Sequence, residues 1–201
     1  MKIRKILNNN LVLANDKQGN EIIVKGRGIG FNKKRWDTID ESVIEKIFTP
    51  ENSKNSKELQ SYLTSIPEDY LDFVQEYVDD IKNFYDIKLN NSIYISLSDH
   101  LTGTIKRFNE GISINNLLLL DIKQLYKLEY KIGLDMLEKL NSKFNVNLPL
   151  DEAGFIALHF VNAQDSEGKN DGFKISHIVN EIMEIVKRYY DSIVFDEESL
   201  Y

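Results

Sequence analysis

The spacing of apolar residues changes once along this 201-residue chain, between residues 49 and 58. Before that point they form short runs, such as Leu11–Ala14, which turn-forming Asn, Asp and Gly residues separate; this pattern indicates strands. After it they recur every three or four residues, as in an amphipathic helix. The sequence therefore predicts an α+β protein of two domains, a small antiparallel β-sheet domain followed by an all-α five-helix bundle.

The first 49 residues are expected to form one small sheet. Its predicted strands are Met1–Leu7, Leu11–Ala14, Glu21–Lys25 and Val43–Phe48. Ile29 and Phe31 are expected to continue the third strand beyond a bulge. Four short strands bury little core without another source of stability, so we expect the sheet to dimerise.

A polar segment with a proline, residues 49–57, has no periodicity and is predicted to be a linker. The helices expected after it span residues 67–84, 91–111, 117–143 with a mild interruption at Gly133, and 152–163. The helix at 152–163 is apolar almost all round, so we expect it to be buried. A last helix is predicted at 175–190. The predicted domains are residues 1–57, 58–168 and 169–201.

The stretch from Lys25 to Phe31 carries three glycines that alternate with Arg27 and Ile29. It matches neither a dinucleotide-binding fingerprint nor a P-loop, so no nucleotide cofactor is expected. Glycines admit a close approach of another group, and Arg27 brings a planar five-donor fork. Three basic residues and Trp36 follow. The stretch suits an RNA-binding edge, although the glycines alone are also typical of a bulge or tight turn.

The formal net charge of −7 averages two unlike parts. Residues 1–49 hold ten Lys and Arg against six Asp and Glu, a net charge of +4, whereas the rest of the chain has a net charge of −11. This asymmetry predicts a basic binding module joined to an acidic body. The absence of cysteine, of a secretory signal and of a long apolar stretch predicts a cytoplasmic protein.

Five segments together resemble one known family, the BglG-type transcriptional antiterminators. The resemblance to the RNA-binding domain lies in Asn8–Asn10, in Gly26–Gly28 with Phe31, and in Ile44–Phe48. Residues 98–101 and 151–163 are similar to the two histidine motifs of the family's first phosphotransferase-regulation domain. The likeness runs from residue 1 to about residue 165, in the family's order and spacing.

The resemblance implies a protein that binds a leader-RNA hairpin as a homodimer and prevents a terminator from forming. The RNA contacts that it implies are Lys5, Asn8, Asn10, Gly26, Arg27, Gly28 and Phe31. Their chemistry agrees, because amides read base edges, cations hold phosphates and an aromatic ring stacks on an unpaired base. From the residues alone, a hairpin turn at the asparagines and a core position for Phe31 are equally compatible.

Two of the three histidines, His100 and His159, lie inside the motifs. Sequence alone favours satisfied core histidines. The resemblance instead implies that both accept phosphoryl groups from proteins of the sugar phosphotransferase system, a sugar permease enzyme II and the histidine phosphocarrier, with Asp99 in support. It implies a regulator and not an enzyme. Family members usually carry a second regulation domain, and the resemblance implies that residues 169–201 are a linker and the first helix, about residues 174–190, of a truncated second domain.

Two alternatives from other classes use the same histidines. The first is a metal-dependent hydrolase built on Asp99, His100 and His159, although their spacing does not match a zinc motif. The second is a phosphorelay interaction module that does not bind RNA.

Overall fold

The computed structural model describes residues 1–49 and 53–164. The chain divides into two compact units. Of the described residues, the first unit comprises those of 1–75 and 98–102, and the second comprises 76–97 and 103–164. The helix predicted at 175–190 lies outside the described residues.

The first unit contains a four-stranded antiparallel sheet in which neighbours in sequence pair with one another. The strands are β1 (Lys2–Ile6), β2 (Leu11–Asn15), β3 (Glu21–Lys25) and β4 (Lys46–Phe48). Side chains on both faces of β2 and β3 are buried. This explains why the sequence shows continuous apolar runs there and no alternation of apolar and polar residues. The predicted α+β class is confirmed.

One face of the sheet forms a hydrophobic core with residues of the loop after β3. The core residues are Ile3, Val12, Ala14, Ile22, Val24, Ile29 and Ile39. Ile29 reaches this core from a turn and not from a strand, because its N–H bonds to the Gly26 carbonyl at 3.1 Å. The prediction that Ile29 and Phe31 continue β3 is therefore wrong. Gly28, with φ at +68°, turns the chain away from the direction of β3 before it reaches Ile29.

The fourth strand begins later than predicted. A single 3₁₀ turn occupies Glu41–Val43, and the Asp40 carboxylate caps it by accepting the N–H of Ser42 at 3.0 Å. An Asp three residues before an apolar run is a common start for a helical turn. Pairing with β3 therefore starts only at Lys46, and the strand predicted from Val43 to Phe48 is shorter.

Six helices follow the sheet in the described chain, one more than predicted. They are α1 (Ser53–Ser65), α2 (Glu68–Tyr85), α3 (Ser92–Asn109), α4 (Leu119–Leu125), α5 (Lys127–Phe144) and α6 (Asp151–Gln164). No range was predicted for α1, which begins inside the segment predicted to be a linker. The helix has few apolar positions, so its sequence shows no clear helical periodicity. Leu63 in its last turn is nevertheless buried, and α1 contacts β3.

The long segment predicted at 117–143 is two helices, and the break lies at Tyr126 and not at Gly133. Tyr126 leaves the helical region with φ −121° and ψ 55°. Its ring packs with Leu118 and Tyr130 on a cluster formed by α4 and α6. Gly133 lies inside α5, where a Cβ would come within 2.2 Å of the Ala153 carbonyl oxygen, so its role is to let α5 approach α6.

The last described helix, α6, is buried along most of its length, as predicted. It packs against α4 and α5 within the second unit. Tyr77 joins this core through its ring, which meets Phe160 edge to face at 6.4 Å. The Tyr77 hydroxyl donates to the Ile132 carbonyl at 2.8 Å or to Asp135 at 2.9 Å, and burial raises the pKa of this phenol.

Candidate nucleic-acid interface

The asparagine turn between β1 and β2 and the glycine loop after β3 form one structure. The Gly26 N–H donates to the Asn10 carbonyl oxygen at 3.0 Å, and the Gly30 N–H donates to that of Asn9 at 2.9 Å. The side-chain oxygen of Asn10 accepts a further bond from the Gly28 N–H. The two motifs that the sequence pointed to separately therefore lie together at one end of the sheet.

Two positions of this loop require glycine, each for a different steric reason. A Cβ at Gly26 would lie 2.1 Å from the Val43 carbonyl oxygen, so no other residue fits without a shift of the backbone. Gly28 faces open space, but its φ of +68° is one that side-chain-bearing residues rarely adopt. Both needs exist without any ligand, so these glycines are explained first by the loop itself.

A cavity of about 620 Å³ opens beside the joined loops. Its lining residues are Asn9, Asn10, Lys25, Arg27, Gly28, Phe31, Glu45, Glu68 and Asp72. Arg27 is exposed, and 59% of Phe31 is open to solvent, so this ring is not a core aromatic. An amide, a guanidinium and an aromatic face thus border one opening, which is a suitable lining for a phosphate and an unpaired base.

Three carboxylates also line this cavity, and none of them was predicted from the sequence. Glu68 accepts a hydrogen bond from the Asn10 side-chain amide. Glu45 and Asp72 both contact the Lys25 ammonium, at 2.5 and 2.6 Å. Their sequence positions are far from the glycine loop, and only the chain fold brings them to it. No local pattern could have identified them.

Lys25 is the buried cation of this group. Burial alone would lower the pKa of its ammonium, but hydrogen bonds and Coulombic attraction from Asp72 and Glu45 outweigh that effect and the pKa is raised. The charge of Lys25 is therefore held inside the protein by two partly exposed carboxylates. Arg27 follows two residues later in the same loop, and its side chain is exposed at the surface.

Three of the seven predicted RNA contacts do not line the cavity. Lys5 is exposed on β1, with its Nζ 3.5 Å from the Gln60 side-chain oxygen. Asn8 is exposed in the turn, where its side-chain oxygen accepts the Asn10 N–H at 2.9 Å. Gly26 is buried. The cavity thus unites Asn10 with Arg27, Gly28 and Phe31, while Lys5 and Asn8 present polar groups outside it.

His100 and Asp99 lie next to each other on α3, within the first unit. His100 is half-buried and Asp99 is exposed. The histidine is thus open enough to be reached from solvent.

His159 lies on α6 in the second unit and is 7% exposed. Its Nδ1 is 3.3 Å from the Ser96 hydroxyl oxygen. A ring enclosed to this degree has no room for a phosphoryl group as it stands. The two predicted phosphorylation sites therefore differ in access.

Among residues 1–49 and 53–164, no group of three or more His, Cys, Asp and Glu side chains is arranged to hold a metal ion. Within the same residues, no helix has the length and hydropathy that crossing a membrane requires.

Both parts of the chain match known protein domains. Residues 1–57 match the model of the CAT RNA binding domain, and residues 75–163 match that of the PRD domain. The transcription antiterminator LicT of Bacillus subtilis is 43% identical over 201 residues, which are 100% of this chain and 72% of LicT. The beta-glucoside operon antiterminator of Dickeya chrysanthemi is 41% identical over 199 residues, 99% of this chain and 70% of that protein.

A solved structure agrees with the fold. The crystal structure of GlcT CAT-PRDI superposes with a TM-score of 0.69 at 33% identity, and it covers 82% of this chain and 98% of its own. Two domain models in the family's order, relatives that match along the whole chain and a shared fold point to one assignment. The chain belongs to the BglG-type family of transcriptional antiterminators, which join a CAT RNA-binding domain to a PRD domain.

Proposed function

We propose that this protein binds a hairpin in a leader RNA as a dimer and thereby prevents a transcription terminator from forming. The observation that carries the proposal is the cavity where Asn10, Arg27, Gly28 and Phe31 meet. The hairpin shares part of its sequence with the terminator. While the protein holds the hairpin, that shared segment cannot fold into the terminator. Binding of the RNA alone thus allows transcription to continue, without any chemical step.

Each of these residues has a role in the proposal. Arg27 holds a phosphate, because a guanidinium donates two parallel hydrogen bonds to it. Phe31 stacks on a base that an internal loop of the hairpin leaves unpaired. Asn10 reads a base edge with its amide. Lys5 and Asn8 extend the contact beyond the cavity, while Gly26 and Gly28 shape the loop and let the RNA backbone come close.

The carboxylates that line the cavity compete with RNA for Asn10 and Arg27. The Asn10 amide already bonds to Glu68, so a base can use it only when Glu68 turns away. Glu45, Glu68 and Asp72 also repel phosphates that approach Arg27. Any rearrangement that withdraws the start of α2 from the cavity would therefore favour RNA.

Phosphorylation of His100 and His159 would supply the control, with Asp99 beside the first site. A phosphoryl group adds roughly 1.5 to 2 negative charges and three acceptor oxygens. At His100 the group can be added to the structure as it is. At His159 it requires α6 to move, because the ring is enclosed. The donors in this proposal are the sugar permease enzyme II and the histidine phosphocarrier.

A read-through assay tests the proposal. A template that carries the leader hairpin ahead of its terminator is transcribed with purified RNA polymerase and increasing protein. We expect full-length transcript to rise with the wild-type protein and to stay at the basal level with Arg27→Ala. The exposed Lys88 of the second unit offers a matched control, since Lys88→Ala removes one positive charge as well.

Equal read-through with Arg27→Ala and Lys88→Ala would contradict the assignment of the cavity. Read-through that does not respond to the wild-type protein would contradict the function itself.

A further inference from the structure

The loop that starts at Gly26 continues past Phe31 to an exposed aromatic residue outside the cavity. Trp36 is 55% exposed. The guanidinium carbons of Arg4 and Arg35 lie 5.8 and 4.8 Å from its ring centroid. A cation within about 6 Å of an indole is attracted to its electron-rich face. One large flat ring and two guanidinium groups thus form a single exposed patch.

The backbone at Trp36 does not suit a tryptophan. Its φ is +77°, in the left-handed region that glycine adopts freely and bulky residues avoid. Bonds to β1 hold it there: its N–H donates to the Ile3 carbonyl at 2.7 Å, and the Ile3 N–H donates to the Asp37 carbonyl at 3.0 Å. A mostly exposed ring returns little burial for this strain. An outlier of this kind points to a role other than stability.

The charge around the patch is predominantly positive. Residues 2–5 and 33–35 contribute six lysines and arginines, all exposed. Two nearby carboxylates, those of Asp37 and Asp40, accept hydrogen bonds from the loop itself and offset only part of this positive charge. Asp37 accepts the Lys34 N–H at 2.7 Å, and Asp40 accepts the N–H and the hydroxyl of Ser42. The partner that fits an aromatic face within such a field is a nucleic acid strand.

We infer that Trp36, flanked by Arg4 and Arg35, is a second RNA contact, a stacking platform for a base of the same hairpin. The inference rests on the proposed function. Ile3, which holds Trp36, is three residues before Ile6, where β1 ends, a span of roughly 10 Å at 3.3 Å per residue. The turn that carries Asn10 to the cavity follows β1. One short hairpin can therefore reach the cavity and the patch together.

Trp36 is the only tryptophan of the chain, so its fluorescence reports on this site alone. The first experiment titrates a looped leader-type hairpin into the full chain, with excitation beyond the tyrosine absorption. Stacking on a base quenches indole emission. We expect quenching that saturates at the same RNA concentration as a gel shift does. Unchanged emission while the gel shift proceeds would overturn the inference.

The second experiment uses two variants. Trp36→Gly is expected to melt no lower than the wild type, because glycine accepts the φ of +77°. Its affinity for the looped hairpin should nevertheless fall about 5- to 100-fold, the usual effect of one lost base-stacking partner. Trp36→Phe, which keeps a stacking face, should recover part of that loss. Equal affinity of Trp36→Gly and the wild type would overturn the inference.

Arg27→Ala separates this inference from the proposed function. If Arg27→Ala loses the hairpin and Trp36→Gly does not, only the role of Trp36 fails. If Arg27→Ala binds as the wild type does, the assignment of the cavity fails, and if the wild type itself does not bind the hairpin, the proposed function fails. A change in emission that follows protein concentration without RNA would show that the ring lies between copies of the chain, and this too would overturn its role as an RNA platform.

Discussion

At the scale of single residues, both ends of the Asn10 side-chain amide are hydrogen-bonded within the protein. Its oxygen accepts the Gly28 N–H and its nitrogen donates to Glu68. Glu68→Gln keeps an acceptor for Asn10 but removes a negative charge from the cavity. We expect RNA affinity to rise, by up to about fivefold, since an exposed charge contributes up to about 1 kcal/mol. Gel-shift titration at low salt measures the change.

Glu76 on the same helix provides the control for Glu68. It is exposed and does not line the cavity. Glu76→Gln changes the net charge of the protein equally and should leave RNA affinity close to the wild-type value. Equal gains in both variants would mean that overall charge, and not the Asn10 contact, sets the affinity.

A second residue-scale prediction concerns the core of the second unit. Tyr77→Phe removes the hydroxyl that bonds to Ile132 and Asp135 but keeps the ring against Phe160. The loss of this buried hydrogen bond should lower the free energy of unfolding by about 1–2 kcal/mol. Urea denaturation measures the difference. Tyr62→Phe, at a position 53% exposed, should change stability little, and a similar loss there would contradict the explanation.

At the scale of elements, Lys25 links β3 to β4 and α2 through Glu45 and Asp72. A raised pKa means that the folded state holds the proton more tightly than the unfolded chain does, whose value is 10.5. The stability that this linkage adds is therefore complete below pH 10.5 and is lost as the pH rises through the folded-state pKa.

Lys25→Met tests this linkage. The difference in unfolding free energy between Lys25→Met and the wild type should be constant from neutral pH to mildly alkaline pH. It should then shift in favour of the variant above about pH 10.5. Urea denaturation at a series of pH values gives this difference. A difference that stays constant throughout the alkaline range would show that the Lys25 ammonium is not coupled to folding.

The elements also show how far sequence patterns reach. β1, β2, β3, α2, α3 and α6 were predicted close to their observed bounds because their apolar spacing is regular. The predictions failed where a tertiary contact overrides local pattern. Tyr126 breaks a continuous amphipathic segment to pack on α6, and α1 forms with few apolar positions because it contacts the sheet.

The candidate site shows the same limit. The family resemblance predicted Asn10, Arg27, Gly28 and Phe31 as contacts of one RNA, whereas their residue types alone were equally compatible with a plain turn and a core aromatic. Glu68 and Asp72 could not be predicted, since they enter the cavity from a helix whose sequence resembles any other solvated helix start. Trp36 was visible in the sequence, but its strained backbone and its two arginine neighbours were not.

At the scale of the whole molecule, a basic sheet domain is followed by helices that carry most of the acidic residues. Residues 1–49 carry a net charge of +4 and the remainder a net charge of −11. Glu68 and Asp72 line the cavity beside Arg27, so in the proposed function acidic residues of the helical part compete with RNA for the basic loop. The predicted homodimer and the domain limits at residues 57 and 168 are hypotheses at this scale, and sedimentation of the protein with and without RNA tests the first.

The most direct test of the central claim is a gel-shift titration with two hairpins of equal length, one with internal loops and one fully paired. It is run at two salt concentrations, because binding driven by phosphates alone weakens steeply with salt. We predict a clear preference for the looped hairpin that survives the higher salt and disappears in Arg27→Ala. Equal, salt-sensitive binding to both hairpins would contradict the claim, since it would reduce the cavity to a general attraction for polyanions.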